Sequence, residues 1–306
     1  MKPVTRLFLI GAPIVVVASV IFGGGGDDSG VLADNPPENS ASTAPNPLAS
    51  GSEGEKEKLE ERIRKMPPGL AAPGKKEIAA QLVASAENST LDWRTQYDAI
   101  EDLDDGNGYT AGIIGFCSGT NDMLQLVEEY TEHHPDNPLA SYLPALRDVD
   151  GTDSHHGLDP GFTQAWATAA KSPDFRKAQD STRDRVYFDP AVRLAKMDGL
   201  STLGQFIYYD AMVLHGPGLD AGGFYGIRHA AMKHAKTAAE GGSEKKYLNA
   251  FLDQSRHVIK TKVTETQRDT SRIDTAQRVF LKDGNMELAA PLRWKMYGET
   301  FQLPAS

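Results

Sequence analysis

The sequence predicts a mainly α fold with one small antiparallel β-sheet (α+β), and three observations carry that reading. In KKEIAAQLVASAEN (75–88), Ile78, Leu82, Val83 and Ala86 recur at helical spacing and form one apolar stripe. A longer apolar-periodic run fills 187–215, with Phe188, Val192, Leu194, Leu200, Leu203, Phe206 and Met212. Between them lies DDGNGYT (104–110), an acidic turn in which Gly106 and Gly108 permit positive φ and Asn107 tolerates it. Small and apolar residues follow from Ala111 to Cys117, so 97–116 reads as short antiparallel strands with that turn at the tip.

The chain opens with Lys2 and Arg6 ahead of an apolar stretch, residues 7–22. That is the order of a secretory signal peptide, with Val31-Leu32-Ala33 as a cleavage context. The stretch is slightly short for a spanning helix and holds Pro13, yet an uncleaved anchor at the outer face of the membrane stays open. Residues 1–26 are thus a signal peptide or N-terminal anchor, and the chain after them is expected outside the cell. Residues 27–73 are rich in Pro, Ser, Ala, Gly and Glu, which predicts a flexible linker or propeptide. A charged helix over 53–65, stopped by Pro67-Pro68, reads as a solvated spacer. The folded domain is placed at 74–306.

Within that domain Glu87 comes one position after Ala86, at the edge of the first stripe, where a carboxylate is neither fully solvated nor fully buried. Thr120-Asn121-Asp122 caps a helix with Met123, Leu124, Leu126 and Val127 on its apolar face. A helix over 160–171 contains Trp166. The second half of the 187–215 run is the candidate central helix, ended by Gly216-Pro217-Gly218. Helical patterns over 223–238, 246–265 and 272–281 come next, then LRWKMYG and a polar tail.

The net charge is −10, and most of it falls after residue 73. An acidic body argues against nucleic acid as a partner and suits a cationic polymer. The single cysteine, Cys117, excludes an intrachain disulfide and sits in an apolar run as a small buried hydrophobe. His133-His134 and His155-His156 lie in loops without an accompanying metal-binding helix, so no metal and no cofactor is expected. GxSxG and GxGxxG are absent. Acetal cleavage needs a proton donor and, in an inverting enzyme, a base that activates water about 6.5–9.5 Å away. Glu87 on a helix margin fits the donor and Asp105 on a polar, mobile turn fits the base.

The segments SAENSTLDW (85–93), AIEDLDDGNGYTAGIIGFCSGTND (99–122), RDRVYFDPAV (183–192), LGQFIYYDAMVLHGPG (203–218), DTSRIDTAQRVFLKDGN (269–285) and PLRWKMYG (291–298) resemble, in order, the chitosanases of glycoside hydrolase family 46. The resemblance runs from about Lys75 to the C-terminus. It implies a two-lobed, lysozyme-like fold with a substrate cleft between the lobes. It also implies an endo-acting, inverting hydrolase of β-1,4 glucosamine links in chitosan, working without cofactor or obligate protein partner, as a monomer.

On that resemblance Glu87 is the general acid, Asp105 the general base, and Thr110 helps hold the attacking water. Asp122 lines up with a residue that binds a sugar amino group, and it also stands in the first turn of a helix, where the dipole favours it. Ser89, Glu101, Tyr187, Asn107 and His215 are further substrate-binding candidates, although a helix C-cap explains His215 as well. Asp210, Arg256 and Arg272 match a buried charged network behind the acid. Asn107 stands where the family carries Arg, which predicts that Asp105 has no cation beside it. Trp93, Trp166 and Trp294 are read as core. Two other functions fit the same fold: a muramidase-like hydrolase of peptidoglycan, and a surface polysaccharide-binding module without catalysis.

Overall fold

The computed structural model describes residues 53–262 and 268–305, so the leader at 1–26 and the linker up to residue 52 lie outside the described residues. Helix α1 (Glu53–Lys65) ends before Pro67-Pro68, where the missing N–H groups stop it. It does more than space the chain in solvent, because it lies against α7 (Asp189–Met197), where Arg193 pairs with Glu60. The 3₁₀ turn Gly69–Ala71 buries Leu70 completely, and the Leu70 N–H donates to Gln205 Oε1 at 2.9 Å. Packed structure therefore begins ahead of residue 74.

Helix α2 (Pro73–Glu87) starts on a proline whose fixed φ suits the first turn. It buries Leu82, Val83 and Ala86 as the stripe predicts, and Glu87 with them. Three strands follow: β1 (Ile100–Asp102), β2 (Tyr109–Ala111) and β3 (Phe116–Cys117), antiparallel in that order. In the first pair Ile100 faces Ala111, Glu101 faces Thr110, and Asp102 faces Tyr109, with the acidic turn beyond.

Helix α3 (Asp122–His133) buries Met123, Leu124, Leu126 and Val127. Helices α4 (Leu143–Val149), α5 (Phe162–Ala169) and α6 (Pro173–Arg183) complete a lobe around this sheet. At its centre Trp166 is fully buried and donates its indole N–H to the Tyr97 carbonyl at 3.1 Å. Helix α6 runs through a π-helical turn, Asp184–Phe188, into α7 and so links the lobes.

The second lobe is built on α8 (Thr202–His215), in which every residue is buried. Ser201 caps it and Gly216, at φ +68°, ends it. Around it pack α7, α9 (Phe224–Met232) and α10 (Glu244–Lys260). The pattern over 272–281 resolves into a π-helical stretch, Arg272–Gln277, followed by α11 (Arg278–Lys282). The expected polar tail is instead a second hairpin, β4 (Leu292–Met296) paired with β5 (Glu299–Leu303). Leu292, Trp294 and Met296 alternate inward, and Trp294 donates to Ser85 Oγ at 3.0 Å on α2. Trp93 is buried too, so all three tryptophans are core. The fold is mainly α with small antiparallel sheets. No described helix is long and apolar enough to cross a membrane.

Candidate active site

Glu87 ends α2 at 1% exposure, deeper than a stripe edge predicts. Its Oε1 accepts from Arg272 Nη2 at 2.5 Å, while Oε2 is buried without a hydrogen-bond partner. The same guanidinium donates through Nε to Asp210 Oδ2 at 2.8 Å, and Gln277 Nε2 donates to that oxygen at 2.5 Å. Two buried carboxylates thus share one cation. Burial pushes both carboxyls above the usual range, and Arg272 pulls each back. Asp210 has the richer set of donors and Glu87 the poorer, so Glu87 is the group better suited to keep a proton.

The π-helical stretch explains why Arg272 and Gln277 meet on one acceptor. In an α-helix residues five apart point about 140° away from each other. Bonding of the i→i+5 kind swings them towards one face. The α-helical period hides Gln277 from a reading of the sequence alone. Arg256, expected in this network, lies elsewhere: its Nε reaches Asp274 Oδ2 at 2.9 Å and its side chain is 43% exposed. Arg272 bridges Asp210 and Glu87 without it.

Asp105 sits on the turn between β1 and β2, half-buried, with Oδ1 accepting from the Asn107 N–H at 3.1 Å. The turn is less open than its composition predicts. Burial raises the Asp105 carboxyl, Asn107 lowers it through side chain and backbone, Asp102 raises it, and Lys262 lowers it. A cation therefore does act on Asp105. Burial pushes Lys262 down to about 8, and Asp105 and Asp220 draw it back. Asn107 is 5% exposed.

Thr110 is buried on β2 with Oγ1 3.4 Å from Cys117 Sγ. With Glu101, its partner across the ladder, it lines a cleft of about 460 Å³ that also takes in Asn88, Gln96 and Asp98. Burial raises the Glu101 carboxyl. Ser89 follows α2 at φ +49°, partly exposed. Asn88, between Glu87 and Ser89, has an unpartnered Nδ2; nothing in its sequence position marks it.

Three expected sugar contacts lie inside the protein. Asp122 is 6% exposed, and its carboxylate accepts from the Cys117 and Met123 N–H groups and the Thr120 and Tyr187 hydroxyls. Burial raises it to about 6 against those four donors. Tyr187 is buried as well, its hydroxyl spent on Asp122 at 2.8 Å. His215 is buried at the end of α8, with Nε2 2.8 Å from Ser255 Oγ, and burial holds it well below the ordinary histidine range. Among the described residues no group of three His, Cys, Asp or Glu side chains could hold a metal ion.

The family model of glycosyl hydrolase family 46 matches residues 81–292. The chitosanase of Streptomyces sp. strain N174 is 60% identical over 233 residues, covering 76% of this chain and 83% of that protein. The chain belongs to glycosyl hydrolase family 46. Among solved structures, chitosanase OU01 in co-crystal with substrate superposes with a TM-score of 0.75 at 54% identity, over 76% of this chain and 98% of that one. The Gynuella sunshinyii GH46 chitosanase in complex with chitotetraose gives 0.70 at 34% identity, over 76% and 98%. As a family 46 member the protein is a glycosidase, and its lysozyme-like α+β class agrees with these neighbours. Both candidate carboxylates and Thr110 fall inside the matched span.

Proposed function

We propose that this glycosidase is a chitosanase that cleaves β-1,4 links within chains of glucosamine and inverts the anomeric carbon. Glu87 is the general acid and Asp105 the general base. Glu87 donates its proton to the glycosidic oxygen as the bond to the anomeric carbon breaks. Asp105 takes a proton from the water whose oxygen attacks the opposite face, and Thr110 holds that water. The observation that carries the reading is Glu87 itself: a buried carboxyl, raised by burial, sharing one guanidinium with a better-bonded Asp210. Burial favours the protonated form of such a group, which can then give its proton to the leaving oxygen as negative charge develops there. Glu101 on the cleft wall, within an acidic body, suits a cationic polymer. The basic n-region and apolar stretch 7–22 support export to where that polymer is met.

The test incubates the full chain with chitosan and follows reducing ends and the configuration of the new anomeric centre. Inverted product with release of reducing ends is expected. Glu87→Gln and Asp105→Asn should each lower turnover by about 10²–10⁴-fold with the fold intact. Near-normal turnover in either variant would overturn these roles.

A further inference from the structure

The β1–β2 ladder closes on the pair Asp102 and Tyr109, and the turn beyond carries Asp105. His155, from loop 150–161, lies against both members of that pair. Its ring stacks on Tyr109 with centroids 3.9 Å apart and planes 7° apart. Its Nε2 stands 3.4 Å from Asp102 Oδ2, and its Nδ1 stands 3.7 Å from Asp159 Oδ2. Tyr109 completes the ring by donating its hydroxyl to Asp159 Oδ1 at 2.6 Å.

The loop backbone abuts the same turn. Gly151 N–H donates to the Gly119 carbonyl at 3.2 Å, and Gly119 N–H donates to the Asn107 carbonyl at 2.9 Å. The Thr152 carbonyl occupies the space that a Cβ on Gly119 would need, so no side chain fits between loop and hairpin there. The turn itself is permissive, with Asp104 at φ +51°, Gly106 at +89° and Gly108 at +68°. A three-pair ladder ending in such a turn fixes its tip only as well as its closing pair is fixed. An imidazole stacked on a phenol ring whose hydroxyl is itself tied to Asp159, with Asp102 at its edge, is suited to that work by packing.

We propose that His155 is a positioning residue for the reaction: it pins Asp102 and Tyr109 together and so fixes where the turn presents Asp105. The proposal rests on the reading of Asp105 as the base. It needs no metal and gives the 155–156 histidine pair a role through one member.

The experiment measures kcat, KM and thermal unfolding of the full chain carrying His155→Ala, His155→Phe, Asp102→Asn, and the double change His155→Phe with Asp102→Asn. His155→Ala should lower kcat by about ten- to a hundredfold, because small displacements of a reacting group cost that much. KM should stay within about twofold, since substrate binding is untouched. His155→Phe keeps the stack and loses both carboxylates, so it should recover only part of the loss. The double variant should cost no more in kcat than the worse of its two single changes, as for groups acting as one unit. Wild-type kcat in His155→Ala, additive losses in the double variant, or a kcat loss fully explained by a smaller folded fraction would each overturn the proposal. Asp105→Asn separates the two readings. If it stays active, the base assignment fails; if it is inactive while His155→Ala is normal, only the positioning role fails.

Discussion

Around Glu87, the proposed acid, the neighbours are built into the interior; around Asp105, the proposed base, a short hairpin is backed by one loop. In the first region Arg272, Asp210 and Gln277 come from two elements and meet at distances of 2.5–2.8 Å, all nearly inaccessible to water. In the second, Asp105 is half-buried on a turn with three positive-φ residues, and the ladder below it has three pairs. Burial raises the carboxyl in both places; at Glu87 the Arg272 charge opposes it most, and at Asp105 the hydrogen bonds from Asn107 do. An acid needs an environment that keeps its proton, which a core supplies. A base needs room for water, which a hairpin rim supplies.

Breaking the core side should give the largest effect. Arg272→Met leaves Glu87 and Asp210 buried without their shared cation, and removing one partner of a buried ion pair costs about 3–5 kcal/mol. Urea unfolding should show that loss, and hydrolysis of chitosan should fall with it. Gln277→Leu is gentler and sharpens the comparison. It removes a donor that favours ionised Asp210, so the Asp210 carboxyl rises and carries less negative charge. Asp210 charge raises Glu87, so Glu87 should fall and the basic limb of the pH–kcat profile should move to lower pH. A basic limb that stayed put would detach Asp210 from the acid. Stability should drop by about 1.5–3 kcal/mol from the lost hydrogen bond to a charged group, since Arg272 still donates to the same oxygen. The smallest effect belongs to Arg256→Ala, which breaks a half-exposed pair with Asp274. It should cost about 1 kcal/mol or less and leave turnover near wild type. A large loss there would return Arg256 to the network from which the structure separates it.

The central helix α8 and the β1–β2 hairpin are legible in the sequence because periodicity and turn chemistry act locally. Every residue of 202–215 is buried, and DDGNGYT lies where its glycines predict. The depth of Glu87 is not legible. It follows the apolar stripe by one residue, but Tyr297 from the far hairpin covers that end of α2, donating to the Ala86 carbonyl at 2.8 Å. A change of helical period hides Gln277, and Arg256, placed in the network by resemblance alone, pairs with Asp274 instead. Strand β5 escapes notice because ETFQL alternates weakly and only its partner strand carries buried tryptophan and methionine. Cations acting at a distance leave no motif, so Lys262 near Asp105 cannot be read from spacing. The burial of Glu87 and the reach of Lys262 both depend on segments far apart in sequence.

Leu70 has a practical consequence for anyone trimming the chain. It is a plug in the side of the central helix, held by Gln205, whose amide also donates to the Leu200 carbonyl at 3.2 Å. A fragment begun at the glycine where composition changes would leave that socket open and forfeit about 1.5–3 kcal/mol of apolar burial. A fragment that keeps this plug therefore starts no later than Gly69, inside what composition alone assigns to a tether.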